Sequence, residues 1–274
     1  MSGVPASGPA PRYRLLAVDL DGTLVSFDLR LDPRDVEALR RAMRAGLRVV
    51  ACTGRPFPGA LPWARAIGLE DPLVCYQGAQ VRSLDGTVLL DHGVPHALAM
   101  EVVRFCRERD LHVQAYVDDR LIVERDRPEA RAYARHAGME VHVVGDLDLA
   151  MGPATPKVVI VAEPEVVERL LPEVRRRWAG RLNAATSLPA YLEVTSPAAD
   201  KRQALGFLCD RFGIGAEETV AVGDGRNDET MIAWAGLGYA IEGAPPEVLA
   251  AAGGRTVGGP GSGGIARLVE RLLA

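Results

Sequence analysis

Two rhythms of hydrophobic positions alternate at the start of the chain. Residues 13–19 form an apolar run, and such a run bounded by turn signals predicts a buried strand. From Asp32 to Ala45 the spacing becomes helical. Val36, Leu39 and Met43 share one face, Asp32 is placed to cap the first turn, and Pro33 suits the first helical position. Gly46 ends that helix, and Leu47–Cys52 is a second strand rich in β-branched residues. A short helix over 60–67 and a strand over Leu73–Tyr76 follow. Strands alternating with helices predict parallel β-α units around a buried sheet.

The rhythm then changes. Val81-Arg82-Ser83 and Val88-Leu89-Leu90 flank an Asp85-Gly86 turn, the signature of a hairpin. A helix over Pro95–Arg109 should bury Leu98, Val102 and Phe105. His112–Val117 and Leu121–Val123 predict a second hairpin across Asp118-Asp119-Arg120. A helix over 128–137, strands over 141–144 and 157–162, and a helix over 164–178 complete an α+β module. Its expected boundaries are the Gly78 region and Ser187-Leu188-Pro189. Alternation then resumes with a helix over Asp200–Phe212, a strand over Thr219–Val222, a helix over Asn227–Ala235, a strand over Leu237–Ile241 and a final helix from Gly264. The glycine-rich stretch Gly253–Gly264 reads as a surface loop. The expected fold is α/β. A Rossmann-like, doubly wound parallel-sheet core is built from residues 13–80 and 188–274, with an α+β module inserted over 81–187. Residues 1–12, rich in Pro, Gly, Ser and Ala, are expected to form a disordered tail.

Composition narrows the function. A net charge of −4 gives no electrostatic case for nucleic acid or an anionic membrane. The arginine run Arg175-Arg176-Arg177 has glutamates nearby and reads as a solvated helix face. Four scattered cysteines without a C-x-x-C pair suit a reducing compartment rather than a disulfide framework or a zinc site. No apolar stretch is long enough to span a bilayer, and the N-terminus lacks the charged region and apolar core of a signal peptide. The expected location is cytoplasmic.

Four segments carry candidate chemistry. In the first, the initial apolar run ends in Asp19-Leu20-Asp21-Gly22-Thr23. Alternate strand residues point the same way, so both carboxylates can reach one spot before the chain turns at Gly22. Paired carboxylates repel, which calls for a proton or a cation between them. A plain Asp-Gly turn ending a strand is the architectural alternative. The second segment is Thr53-Gly54-Arg55, directly after Val49–Cys52. The third is Lys201 at a helix start, one of only two lysines in the chain beside Lys157. The fourth is Gly223-Asp224-Gly225-Arg226-Asn227-Asp228 after Thr219–Val222. Open parallel sheets bind ligands beyond the carboxyl ends of their strands, and three of the four segments lie at such ends. Aspartates suit a hard cation such as Mg2+. Thr53 offers a hydroxyl, the glycine turns offer N–H groups to an anion, and Lys201 offers a point charge suited to phosphate. Singly, Thr53-Gly54 is a strand-to-loop turn and Lys201 an exposed helix lysine. Together and in this order they describe phosphoryl transfer, with a carboxylate able to act as nucleophile.

On these residues the chain resembles the haloacid dehalogenase (HAD) superfamily of phosphohydrolases, and within it the Cof-type subfamily. The resemblance covers nearly everything after residue 12, including the continuation Glu229–Ala240 and the position of the inserted module, which it implies is an α+β cap domain over 81–187. It implies that Asp19 is the nucleophile, and that Asp21 protonates the leaving oxygen and then acts as base on the hydrolytic water. It implies Mg2+ held by Asp19 and Asp224, by the backbone carbonyl of Asp21, and with Asp228 supporting the metal shell or Lys201. Thr53 and Lys201 would hold the phosphoryl group, with Asn227 and the N–H of Gly54 as further phosphate contacts. Arg55 would face the substrate or the cap. Two departures stand out: Gln77-Gly78 replaces the family's frequent Asn-Gly, and the loop Gly258–Gly264 is unusually glycine-rich. The expected activity is hydrolysis of a small phosphomonoester, a sugar phosphate or similar metabolite, through an aspartyl-phosphate. A phosphomutase on the same scaffold and a non-catalytic metabolite-binding protein are the alternatives. The expected partner is the small phosphorylated metabolite, and the expected state is a monomer or weak homodimer. His112, Gln114, Tyr116, Arg120 and Glu124 are polar or aromatic at cap strand positions, and the sequence singles out none of them for specificity.

Overall fold

Leu15, Leu16, Ala17 and Val18 are all fully buried, as a strand covered on both faces requires. In the computed structural model, which describes residues 12–274, this strand lies inside a five-stranded sheet. It pairs in parallel with Arg48–Ala51 on one side and Thr219–Gly223 on the other. Leu237–Ile241 and then Thr256–Val257 extend the sheet, again in parallel. The expected tail over 1–12 lies outside the described residues except for Arg12.

The helix Pro33–Arg44 forms as its sequence predicts. Asp32 accepts the Arg34 N–H, and Pro33 opens the first turn. Its buried face is Ala38, Leu39 and Ala42 together with Asp35, while Val36 and Met43 are half-buried at the flanks. That face packs on the C-terminal helix Gly264–Leu273, where Ile265, Leu268 and Val269 are buried.

The chain divides into two compact units. The first comprises the described residues up to Ala51 with Ile67–Asp71 and Leu205–Ala274, and holds the parallel sheet. The second comprises Cys52–Ala66 and Pro72–Ala204, so it contains all of 81–187 and more. Within it, Leu73–Cys75, Gln80–Arg82 and Val88–Asp91 form a small antiparallel sheet. A six-stranded sheet runs in the order Asn183–Leu188, Tyr191–Thr195, Val158–Val161, His112–Val117, Arg120–Val123, Val141–Val143. Its inner residues Val113, Ala115, Ile160, Leu192 and Val194 share a core with the helices His96–Arg107 and Pro164–Arg177. Phe105 and Trp178 meet edge to face there, with centroids 5.4 Å apart.

Several elements differ from the sequence expectation. Ser187-Leu188-Pro189, read as a boundary, lies in a hairpin: Pro189-Ala190 turns the chain between strands Asn183–Leu188 and Tyr191–Thr195. The first of these is an edge strand, exposed except at Ala184, so it lacks the apolar alternation that marks a strand. The supposed loop over Gly253–Gly264 contributes the strand Thr256–Val257, preceded by the helix Pro246–Ala251. The second helix begins earlier, at Phe57, with Pro58 in the first turn, where proline is tolerated, and Pro62 inside the helix. Among the described residues no helix is long and apolar enough to cross a membrane.

Candidate active site

Asp19 directly follows the buried strand Leu15–Val18, and its backbone N–H donates to the Val222 carbonyl at 3.0 Å. This ties the end of the first strand to the end of Thr219–Gly223, so Asp19 and Asp224 leave the same edge of one sheet. The loop after Asp19 is tight: the Gly22 N–H donates to the Val25 carbonyl, and the Leu24 and Val25 N–H groups donate to the Leu20 carbonyl. Gly22 has a φ of +79°, and a Cβ there would collide with the Asp224 carboxylate. Glycine thus allows the two loops to approach. Thr23, fully buried, donates its hydroxyl to Asp224 Oδ1 at 3.0 Å.

The second loop is shaped by Asp228. Its Oδ2 accepts the backbone N–H of Asp224 at 3.1 Å and of Gly225 at 3.0 Å. Asp228 is buried, as is Asp19, and Asp224 is half-buried. One carboxylate oxygen from each of Asp19, Asp224 and Asp228 falls within 4.8 Å of the others. Buried carboxylates at this spacing repel strongly, and a cation relieves that repulsion. All-oxygen donors suit a hard divalent ion, so the group fits the metal expected from the sequence. The Asp21 side chain is not in this group, and Asp21 is half-buried. Asn227 is exposed.

The expected phosphate contacts Thr53, Gly54 and Lys201 belong to the second unit, where the Gln77-Gly78 turn lies against both the Thr53-Gly54 loop and the Asp200–Lys201 peptide. Thr53 is fully buried; its N–H donates to the Val74 carbonyl at 2.8 Å, and its hydroxyl accepts the Arg55 N–H at 3.1 Å. Its carbonyl accepts the Gln77 N–H at 3.1 Å. Lys201 opens the helix Lys201–Phe212 and is only 1% exposed, so it is not a surface helix lysine. Asp200 caps that helix by accepting the Gln203 N–H at 3.1 Å. The Gly78 backbone lies directly against the Asp200–Lys201 peptide, with φ at +92°. Arg55 stacks over the Trp63 ring at 5.5 Å, its guanidinium directed at that side chain.

The sequence reading missed a second buried lysine site. Lys157 is 2% exposed, and its Nζ lies 3.0 Å from Glu193 Oε1. Burial alone would push its ammonium down, but the Glu193 carboxylate and Tyr133 outweigh it and hold Lys157 above the usual lysine range. The signal was present: in a chain that otherwise uses arginine, the only two lysines are both buried. Of the cap positions, His112, Gln114 and Tyr116 are buried on the sheet face opposite the Phe105–Trp178 core, whereas Arg120 is exposed. Burial lowers the His112 imidazole, so the ring is held neutral beside the Gln114 amide.

A family model described as haloacid dehalogenase-like hydrolase matches residues 16–267. The chain belongs to the haloacid dehalogenase-like hydrolase family. The family match spans both acidic loops, Thr53 and Lys201. Among curated relatives, the HMP-PP phosphatase of Serratia proteamaculans (strain 568) is 28% identical over 236 residues, 86% of each chain. Among solved structures, TM0651 from Thermotoga maritima is 30% identical with a TM-score of 0.85, covering 94% of this chain and 97% of that one. A haloacid dehalogenase-like hydrolase from Bacteroides thetaiotaomicron is 26% identical with a TM-score of 0.86, covering 95% of this chain and 99% of that one. The chain is an enzyme of the HAD phosphomonoester hydrolase type, with the HAD fold expected from its motifs.

Proposed function

We propose that this protein is a Mg2+-dependent phosphatase that hydrolyses a small phosphomonoester through an aspartyl-phosphate on Asp19. The observation that carries the reading is the group of Asp19, Asp224 and Asp228 oxygens within 4.8 Å, built on two loops at one sheet edge. Asp19, Asp224 and Asp228, with the backbone carbonyl of Asp21, would hold the metal, which supplies Lewis-acid charge neutralisation at the phosphoryl oxygens. An Asp19 carboxylate oxygen attacks phosphorus, and the bond from phosphorus to the substrate oxygen breaks. Asp21 gives its proton to that leaving oxygen. Water then attacks the phosphorus of the acyl phosphate while Asp21 takes the water's proton, releasing inorganic phosphate and restoring Asp19. Thr53 and Lys201 carry the roles of phosphoryl holders, with the Gly54 N–H and Asn227 as further contacts. In this reading 13–80 and 188–274 act as the catalytic domain and 81–187 as the cap. The substrate in this reading is a sugar phosphate or similar metabolite, and a relative named as a phosphatase supports the phosphatase class. The four cysteines are free and buried, which suits a cytoplasmic enzyme, and we assign it as a monomer or weak homodimer.

The test is phosphate release from p-nitrophenyl phosphate with Mg2+, then from a panel of metabolite phosphates. Release is expected with wild type, and a phosphorylated Asp19 is expected in the mass spectrum of acid-quenched enzyme. No release from any substrate, with Asp19→Asn indistinguishable from wild type, overturns the reading. Phosphate moved within a sugar without release would assign a phosphomutase instead.

A further inference from the structure

The segment Tyr76-Gln77-Gly78 places three consecutive residues in the left-handed region, with φ of 53°, 61° and 92°. Only the last is glycine, so two side-chain-bearing residues are held in a conformation that L-residues rarely adopt. Such strain persists only where the surroundings over-determine it. Here they do. Tyr76 is fully buried, and its ring meets the Tyr116 ring edge-on at 5.5 Å. Its hydroxyl donates to Asp119 Oδ1 at 3.3 Å, and Arg82 donates to both oxygens of the same carboxylate at 3.1 and 3.2 Å. The Tyr76 N–H donates to the Arg55 carbonyl at 3.0 Å. The turn is therefore clamped from behind by Tyr76 and from one side by the Thr53–Arg55 loop.

What the strained turn presents is Gln77. Its N–H donates to the Thr53 carbonyl at 3.1 Å. Its side-chain amide covers the α-carbon of Gly54, so that a Cβ on Gly54 would collide with it. Gly78, next in line, packs on the Asp200–Lys201 peptide with no room for a Cβ. One short turn thus touches both the Thr53-Gly54 loop and the start of the Lys201 helix. We propose that Gln77 is a positioning residue for phosphate: its amide, seated on Gly54, fixes the loop that presents the Thr53 hydroxyl and the Gly54 N–H. This rests on the phosphatase reading above. It also gives a role to the glutamine that departs from the frequent Asn-Gly: its longer side chain reaches Gly54 from a turn locked by Tyr76.

The test is a double-mutant cycle between Gly54→Ala and Gln77→Ala in the full chain, read as the competitive inhibition constant of inorganic phosphate and as kcat and KM for p-nitrophenyl phosphate. Gly54→Ala displaces the amide, and Gln77→Ala removes it. Each is expected to weaken phosphate inhibition roughly 10- to 100-fold, the scale of losing a hydrogen bond to a charged group. Because both act through one contact, the Gly54→Ala loss should shrink several-fold in the Gln77→Ala background. Gln77→Met, which keeps the volume without the amide, should resemble Gln77→Ala in phosphate inhibition while its melting temperature stays near wild type. Additive losses, or a Gln77→Met variant with wild-type phosphate inhibition, overturn the inference while leaving an active wild type as a phosphatase. A wild type that neither hydrolyses p-nitrophenyl phosphate nor binds inorganic phosphate sinks the phosphatase reading itself.

Discussion

Asp19 and Asp21 stand two positions apart in sequence, but their surroundings separate them. Asp19 is 4% exposed, anchored by its N–H to Val222, and grouped with two other carboxylates. Asp21 is half-buried and stands apart from that group. On the proposed mechanism Asp19→Asn replaces the attacking oxygen while keeping shape, so kcat should fall by about 10³-fold or more, with no loss of thermal stability in metal-free buffer. A steady-state assay beside a melting curve checks both halves. Gly22→Ala makes the opposite kind of change: it leaves every carboxylate in place but drives a methyl group into Asp224 at a φ of +79°. It should cost about 1–3 kcal/mol in denaturant unfolding and also weaken metal-dependent activity. Both residues were legible in the sequence because a strand-end Asp-x-Asp-Gly carries its chemistry locally. The Thr23 bond to Asp224 was not legible, since its partner lies in a loop some two hundred positions away.

At the scale of elements, the alternating strands and helices at both chain ends were readable because buried parallel strands are continuous apolar runs. The hairpin Asn183–Thr195 was not, because its outer strand is mostly exposed and Leu188-Pro189 looks like punctuation. That hairpin matters, since it delivers Glu193 to Lys157. Removing one partner strands a buried charge, so Glu193→Ala should cost about 3–5 kcal/mol, whereas replacing both residues with methionine should cost far less. Denaturant unfolding of the two variants checks this. A second element-scale case is Asp35, in the face between Pro33–Arg44 and Gly264–Leu273. Its Oδ1 accepts the Ala266 N–H at 2.8 Å, but its buried Oδ2 has no hydrogen-bond partner. Burial raises its carboxyl above the usual range; the Ala266 N–H, Arg34 and Arg267 oppose the rise, and Asp32 adds to it. A raised folded-state value means that stability is fullest below the unfolded carboxyl value, about pH 4, and declines as pH rises through the folded one. Asp35→Asn keeps the Ala266 bond and should abolish that decline. Melting curves from pH 4 upward should therefore separate, with the wild type falling relative to the variant.

For the molecule as a whole, the acidic group ties two distant stretches of sequence into one compact unit. Asp19 lies near the N-terminus and Asp224 and Asp228 near the C-terminus, yet their loops leave neighbouring parallel strands. Without a cation, the carboxylates of that group repel one another, and the folded state bears this cost while the unfolded chain does not. A bound cation converts the same charges into a crosslink, and a ligand that binds only the folded state stabilises by about 2.7 kcal/mol at a hundred times its dissociation constant. The melting temperature should therefore rise with Mg2+ and saturate, and EDTA should reverse both the rise and the phosphatase activity. Asp224→Asn separates the two contributions. With one carboxylate neutralised, the variant should melt higher than wild type in EDTA and gain little from Mg2+. A wild-type melting temperature indifferent to Mg2+ across a range that restores activity would show that the group is held together by something other than the metal. A melting curve of Asp224→Asn that tracks wild type in both conditions would remove Asp224 from the metal site altogether.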